Sequence, residues 1–213
     1  DYDSDGRVEV AVGASFADPG AVPADSGAVW VIDLDPATLA PVSSFLIASN
    51  SPIAGGAANF ATLNADDRLG LRMANLGDWD GDGAPELAVG ALKDNDGGHT
   101  DNGAFYILYL KPDGSGVKSY TKISATQGGF DGTFDGNGSF FGSEVTALGD
   151  LDFDGQIDLA VGAPLEGPEG AVFVLKMDPA CGNLPPLPPI PYTACVVKPG
   201  SLRIAEGSGG FPE

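Results

Sequence analysis

A fourteen-residue phrase recurs three times along this chain, and no other feature restricts its fold as much. It reads DYDSDGRVEVAVGA at residues 1–14, DWDGDGAPELAVGA at 78–91 and DLDFDGQIDLAVGA at 150–163, spacings of 77 and 72 residues. Each copy leads into a variable loop rich in Gly, Asp and Pro. An apolar run dominated by β-branched and aromatic residues follows, at 27–36, 103–112 and 170–179. Runs of that composition read as strands buried on both faces. A further short strand is expected at 45–48, 121–124 and 201–205, and another precedes the second and third acidic loops at 69–76 and 141–148. With 32 glycines and 17 prolines, the chain suits many short strands better than long helices.

Four short strands per unit, repeated and joined by turns, predict an all-β fold. The units are β-propeller blades of four antiparallel strands, about three of them, in an incomplete ring. A calcium-binding β-solenoid is the competing architecture, but its repeats would be much shorter than 72 residues. The expected divisions are a partial blade at 1–48 (loop plus three strands), a second blade at 68–125 and a third at 140–206. The third carries a Cys-bounded, Pro-rich insertion at 181–195, and 207–213 begins a link onward. The sequence opens inside an acidic loop, without the strand that precedes it in the other units. A fragment is therefore the simplest expectation, with a subunit completed by neighbouring chains as the alternative.

Thirty acids against ten bases give a formal charge of −20. Nucleic acid and anionic lipid are poor partners for such a surface, because binding them depends on basic groups. No apolar run approaches the roughly 18 residues of a membrane span. The acids are clustered rather than dispersed. In each loop carboxylates fall at positions 1, 3, 5 and 9, with glycine at position 6. A hard cation such as Ca²⁺ takes six to eight oxygens from carboxylates, carbonyls and water.

The first loop offers Asp1, Asp3, Asp5 and Glu9 with the Arg7 carbonyl, and the second Asp78, Asp80, Asp82 and Glu86 with the Ala84 carbonyl. The third offers Asp150, Asp152, Asp154 and Asp158 with the Gln156 carbonyl. Four carboxylates so close repel strongly unless a cation joins them. Up to three structural Ca²⁺ are expected, which would engage twelve acids and move the charge from −20 to −14. Mg²⁺ suits the loops less, since it seldom uses an all-protein cage. An EF-hand opens similarly but needs a bidentate Glu at position 12 and flanking helices. Position 12 is Val12, Val89 and Val161 here.

Phe141-Gly142 followed by Val161-Gly-Ala-Pro164, with Asp-x-Asp-x-Asp-Gly-x-x-Asp between them, resembles the FG-GAP repeat of integrin α-subunit propellers. The resemblance covers essentially the whole chain. It implies a seven-bladed ring in which the calcium loop joins the first two strands of a blade and the cation is structural. The second unit departs from the pattern with Leu69-Gly70 and Gly90-Ala-Leu92, and the first with Gly13-Ala-Ser15. Glu9 and Glu86 stand where the family usually has Asp. Nothing resembles an inserted ligand-binding domain with its metal-dependent adhesion motif.

Cys181 and Cys195 bound the Pro-rich insertion and read either as one disulfide, implying an oxidising compartment, or as two unpaired thiols. Bridged, the insertion would form a rigid protruding finger and a candidate contact surface; otherwise it is a decorative loop. Asn137 begins an N-glycosylation sequon. His99, the one histidine, lies in a polar loop and reads as a solvated residue. A catalytic Ser/His/Asp or Cys/His arrangement would have to centre on it, so no catalytic residues are expected.

The leading expectation is a non-enzymatic, calcium-binding module of a secreted or cell-surface protein, for adhesion or extracellular assembly. Protein or glycan partners, including copies of itself, would meet its loop tips. The rivals are a structural subunit of an extracellular filament or coat, and the accessory propeller of a secreted enzyme whose catalytic part lies elsewhere.

Overall fold

Each copy of the repeated phrase becomes an acidic loop running into a strand, and that strand pairs with the apolar run that follows it in sequence. The computed structural model describes residues 2, 3, 5–19, 23–53, 59–96, 98–130, 132–136, 138–178, 197 and 202–204. All regular structure among them is strand: β1 (Val8–Ala14), β2 (Ala28–Leu34), β3 (Pro41–Ala48), β4 (Leu69–Gly77), β5 (Glu86–Ala91), β6 (Ala104–Leu110), β7 (Val117–Ser124), β8 (Glu144–Gly149), β9 (Asp158–Ala163), β10 (Ala171–Leu175) and β11 (Leu202–Ile204). They form three antiparallel meanders, β1-β2-β3, β4-β5-β6-β7 and β8-β9-β10-β11. The fold is all-β, and no helix among the described residues is long and apolar enough to cross a membrane.

The repeat is superimposable in register. Ala14 pairs with Ala28, Ala91 with Ala104 and Ala163 with Ala171, so the last residue of each phrase meets the same partner in every sheet. β3 and β7 begin about four residues before the apolar stretches that announce them, at Pro41 and Val117. The first half of β3 is exposed and that of β7 sets the buried Val117 beside Lys118 and Ser119, and each contains a β-bulge, which breaks the alternation a sequence pattern relies on.

Neighbouring sheets are joined face to face. One core gathers Val29, Val31 and Ile47 of the first sheet against Leu69, Val89, Tyr106 and Leu108 of the second. A second core gathers Phe105, Ile107 and Ile123 against Phe141, Val161 and Phe173 of the third. A parallel bridge accompanies each joint, Gly27 with Leu69 and Gly103 with Phe141.

Glycine makes this approach possible. A Cβ on Gly13 would sit 1.8 Å from the Gly70 carbonyl oxygen, and one on Gly90 would sit 2.2 Å from that of Gly142. The glycine before the last alanine of the phrase and the glycine after Leu69 or Phe141 are thus two sides of one contact. Gly70 and Gly142 themselves take φ of +92° and +83°, open to glycine at no steric cost.

Candidate metal centres on the acidic loops

The second acidic loop spans the hairpin end between β4 and β5 and the third that between β8 and β9, while the first leads into β1. Position 1 organises the loop. Asp78 accepts hydrogen bonds from the backbone N–H groups of Asp82 and Gly83, both at 3.0 Å. Asp150 accepts from those of Asp154 and Gly155, at 3.0 and 2.8 Å. Asp1, its counterpart, lies outside the described residues. Position 6 reverses the backbone with φ of +85° at Gly6, +97° at Gly83 and +94° at Gly155. Position 4 is also left-handed in the second and third loops, at Gly81 and at Phe153, whose side chain is exposed.

Position 9 closes the loop from below. Its carboxylate accepts the N–H of position 2 in all three: Tyr2 to Glu9 at 2.7 Å, Trp79 to Glu86 at 2.6 Å and Leu151 to Asp158 at 2.8 Å. Glu and Asp therefore reach the same position-2 donor. Asp158 accepts in addition from the Met177 N–H.

These constraints bring carboxylates together. Oxygens from Asp3, Asp5 and Glu9, from Asp78, Asp80 and Glu86, and from Asp150, Asp152 and Asp158 lie within 4.8 Å of one another in each set. Position 5 also caps the loop: Asp5, Asp82 and Asp154 accept from the N–H of Arg7, Ala84 and Gln156. Asp5 nevertheless belongs to the close set of the first loop, whereas in the second and third loops the set draws on position 1 instead. Cys181, Cys195 and Asn137 lie outside the described residues. His99 sits exposed in the loop after β5, away from all three clusters, and its N–H donates to the Asp96 carbonyl.

The electrostatics are those of anions gathered in a partly dry site. Glu86 is fully buried, and burial pushes its carboxyl up to about 8. The Trp79 N–H opposes that rise and the Asp80 charge adds to it. Glu86 Oε2 has its Trp79 donor, whereas the buried Oε1 has no hydrogen-bond partner. A buried carboxylate oxygen left unsatisfied costs on the order of 1–3 kcal/mol or more. This oxygen fits the requirement of a hard cation for an anionic ligand.

The sequence pattern did not reveal Lys118. Its ammonium lies 2.5 Å from Asp80 Oδ2 and also contacts Asp82. Burial raises Asp80, a rise that Lys118 only partly offsets. At Asp82 the effect of burial is outweighed by Lys118 and the Ala84 amide, leaving that carboxyl low. Nor does the repeated phrase show a second polar cluster at the opposite ends of the strands. There Asp94, four residues beyond Gly90, binds Lys122 at 2.7 Å, and Glu166, four beyond Gly162, binds Arg203 at 3.2 Å. Only an alignment of the units against each other would have suggested it, since the first has Ala17 and Leu46 at those places.

Sheets of consecutive antiparallel strands, packed face to face with an acidic loop leading into a repeated strand, define an array of propeller-like blades. The family model described as FG-GAP repeat matches residues 1–32 and 141–175, so the chain carries FG-GAP repeats, and it is similar to integrin α-subunits. It is 35% identical over 135 residues to integrin alpha-PS2 of Drosophila melanogaster, a match covering 62% of this chain and 9% of the relative. To integrin alpha-PS5 of the same organism it is 32% identical over 143 residues, 63% of this chain and 13% of the relative. To human integrin alpha-10 it is 32% identical over 133 residues, 62% and 10% respectively. The chain thus matches only about a tenth of each relative's length.

Proposed function

We propose that this chain is a calcium-rigidified, non-enzymatic propeller module of a secreted or cell-surface protein, serving adhesion or extracellular assembly. Segment 1–48 would form a partial blade, 68–125 a second blade and 140–206 a third. The observation that carries the calcium reading is Glu86 Oε1, buried and unpartnered beside Asp78 and Asp80. The same placement of acids recurs in the other two loops, which makes the arrangement a property of the repeat. The integrin relatives support the adhesive role and the extracellular setting. Asp78, Asp80 and Glu86 would hold the ion in the second loop, and Asp150, Asp152 and Asp158 in the third. Asp3, Asp5 and Glu9 would do so in the first. The ion supplies positive charge and no chemistry. Partners meet the loop tips, where the units differ from one another.

Thermal unfolding in calcium and in chelator tests this. A ligand selective for the folded state stabilises by about 2.7 kcal/mol at a hundred times its Kd. For a chain of this size that is roughly 5–10 °C in Tm. Asp152→Ala should remove part of the calcium-induced rise and change little in chelator. Equal losses in both conditions would show that the acids act within the fold without a metal.

A further inference from the structure

The chain has ten basic residues, and three of those among the described residues stand at acidic loops. Arg7 pairs with Asp5 and with Asp33 at 2.8 Å, Lys118 pairs with Asp80 and Asp82, and Lys176 stands 3.8 Å from Asp152. They come from unrelated places: position 7 of a loop, the outer strand β7 and the segment after β10. Recurrence without positional equivalence indicates that the loops, not the repeat, account for their presence.

Lys118 is the most pointed case. Ser119 pairs with Tyr109 and Val117 with Leu110, so Lys118 is the extra residue of the β7 bulge. A bulge re-aims a side chain out of the regular alternation. Here it sends an ammonium toward the hairpin end beside Glu86, which pairs with Tyr109. The corresponding bulge of the first sheet carries Val42, which is exposed and uncharged. The Lys118 side chain is 27% exposed and that of Asp80 15%, so the contact is shielded well beyond a surface ion pair.

We propose that Lys118 is a tethered counter-cation of the second loop, one that holds Asp80 and Asp82 together without a metal and competes with a divalent ion for them. This rests on the calcium reading above and assigns an affinity-setting residue to it. A divalent ion arriving at Asp78, Asp80 and Glu86 must displace the ammonium or bind beside it. One positive charge about 6 Å from a divalent ion, screened as in water, is worth roughly tenfold in affinity. Lys118 therefore weakens calcium binding at this loop while limiting the damage of losing the ion.

The loop reports on itself. Trp79 lies between Asp78 and Asp80, whereas the first and third loops have Tyr2 and Leu151 at that place. Terbium luminescence excited through tryptophan thus reads the second loop, with Trp79→Phe as the control that removes the signal. The experiment titrates Tb³⁺ into the 213-residue chain and displaces it with Ca²⁺, for the parent, Lys118→Gln and Lys118→Arg. Lys118→Gln should bind both ions about tenfold more tightly, and its Tm should fall in chelator more than in saturating Ca²⁺. Lys118→Arg, which keeps the charge, should retain the parent affinity. If the parent shows the Trp79 signal and Lys118→Gln binds equally or more weakly, Lys118 is not a competitor and the calcium reading stands. If neither protein gives a Trp79-dependent signal, the second loop binds no such ion and both ideas fall.

Discussion

Asp67 is a fully buried carboxyl just before β4, and its surroundings decide its charge. Oδ2 accepts the Asn64 N–H at 2.6 Å, while the buried Oδ1 has no partner. Burial pushes the carboxyl up to about 7. The Asn64 amide holds it down, the Asp94 charge raises it further, and Lys122 opposes that. In the unfolded chain the group titrates near 3.9. Between those values the folded state binds the extra proton, so this residue's contribution to stability falls as pH rises from about 4 to 7 and is level above.

Asp67→Asn keeps an acceptor for Asn64 and removes the titration. It should stabilise the protein at pH 8 by on the order of 2 kcal/mol and change little at pH 4. Urea midpoints at the two pH values, at one fixed calcium concentration, measure it. A variant weaker than the parent at pH 8 would mean that the ionised carboxylate is held by favourable contacts. Nothing in the sequence marks this residue, one of three acids or amides in the stretch 64–67, because burial of a linker residue is a tertiary property. The acids of the loops were legible for the opposite reason: their spacing is local, and local geometry alone brings them together.

At the scale of elements, each acidic loop does more than lead into a strand. Its second residue donates its N–H to position 9 and sends its side chain into the joint with the next sheet. Tyr2 lies in the core between the first and second sheets, and its hydroxyl donates to the Gly114 carbonyl at 2.9 Å. Trp79 lies in the core between the second and third. Leu151, at the same place in the third loop, is 49% exposed. A cation that fixes position 9 therefore also fixes an anchor between sheets.

Trp79→Ala should destabilise by about 3–5 kcal/mol, as truncation of a buried aromatic does. Leu151→Ala should cost no more than about 0.5 kcal/mol, as exposed sites do. Comparable losses in urea denaturation would deny the anchoring role. The strands of each sheet were readable from their β-branched and aromatic runs. The anchors were not, because an apolar residue inside an acidic loop looks like variation until the neighbouring sheet is in place. The pairing of Lys118 with Asp80 and Asp82 was hidden similarly, since a bulge on a different strand supplies it.

The outer faces of the first and third sheets are unlike. On the first sheet Val8, Val10, Val12 and Trp30 are 38–60% exposed. The repeat equates Val10, Val12 and Trp30 with Leu87, Val89 and Tyr106, the buried residues with which the second sheet receives the first. On the third sheet Val172 is 43% exposed, at the place where Val29 and Phe105 are buried against a following sheet. The chain thus displays both halves of its own inter-sheet joint at opposite ends, a head-to-tail relation that can propagate. Apolar patches of this kind favour association, whereas a formal charge of −20 opposes it.

Screening decides the balance, since like charges on separate chains repel over about 10 Å at 0.1 M salt and about 3 Å at 1 M. The 213-residue chain on its own should therefore gain mass with concentration, more so at high salt and in calcium. Trp30→Glu combined with Val12→Lys should hold it monomeric with little change in Tm, because both side chains are already partly in water. Light scattering across a salt series measures this, and a chain that stays monomeric in 1 M salt would mean that the two faces do not recognise each other.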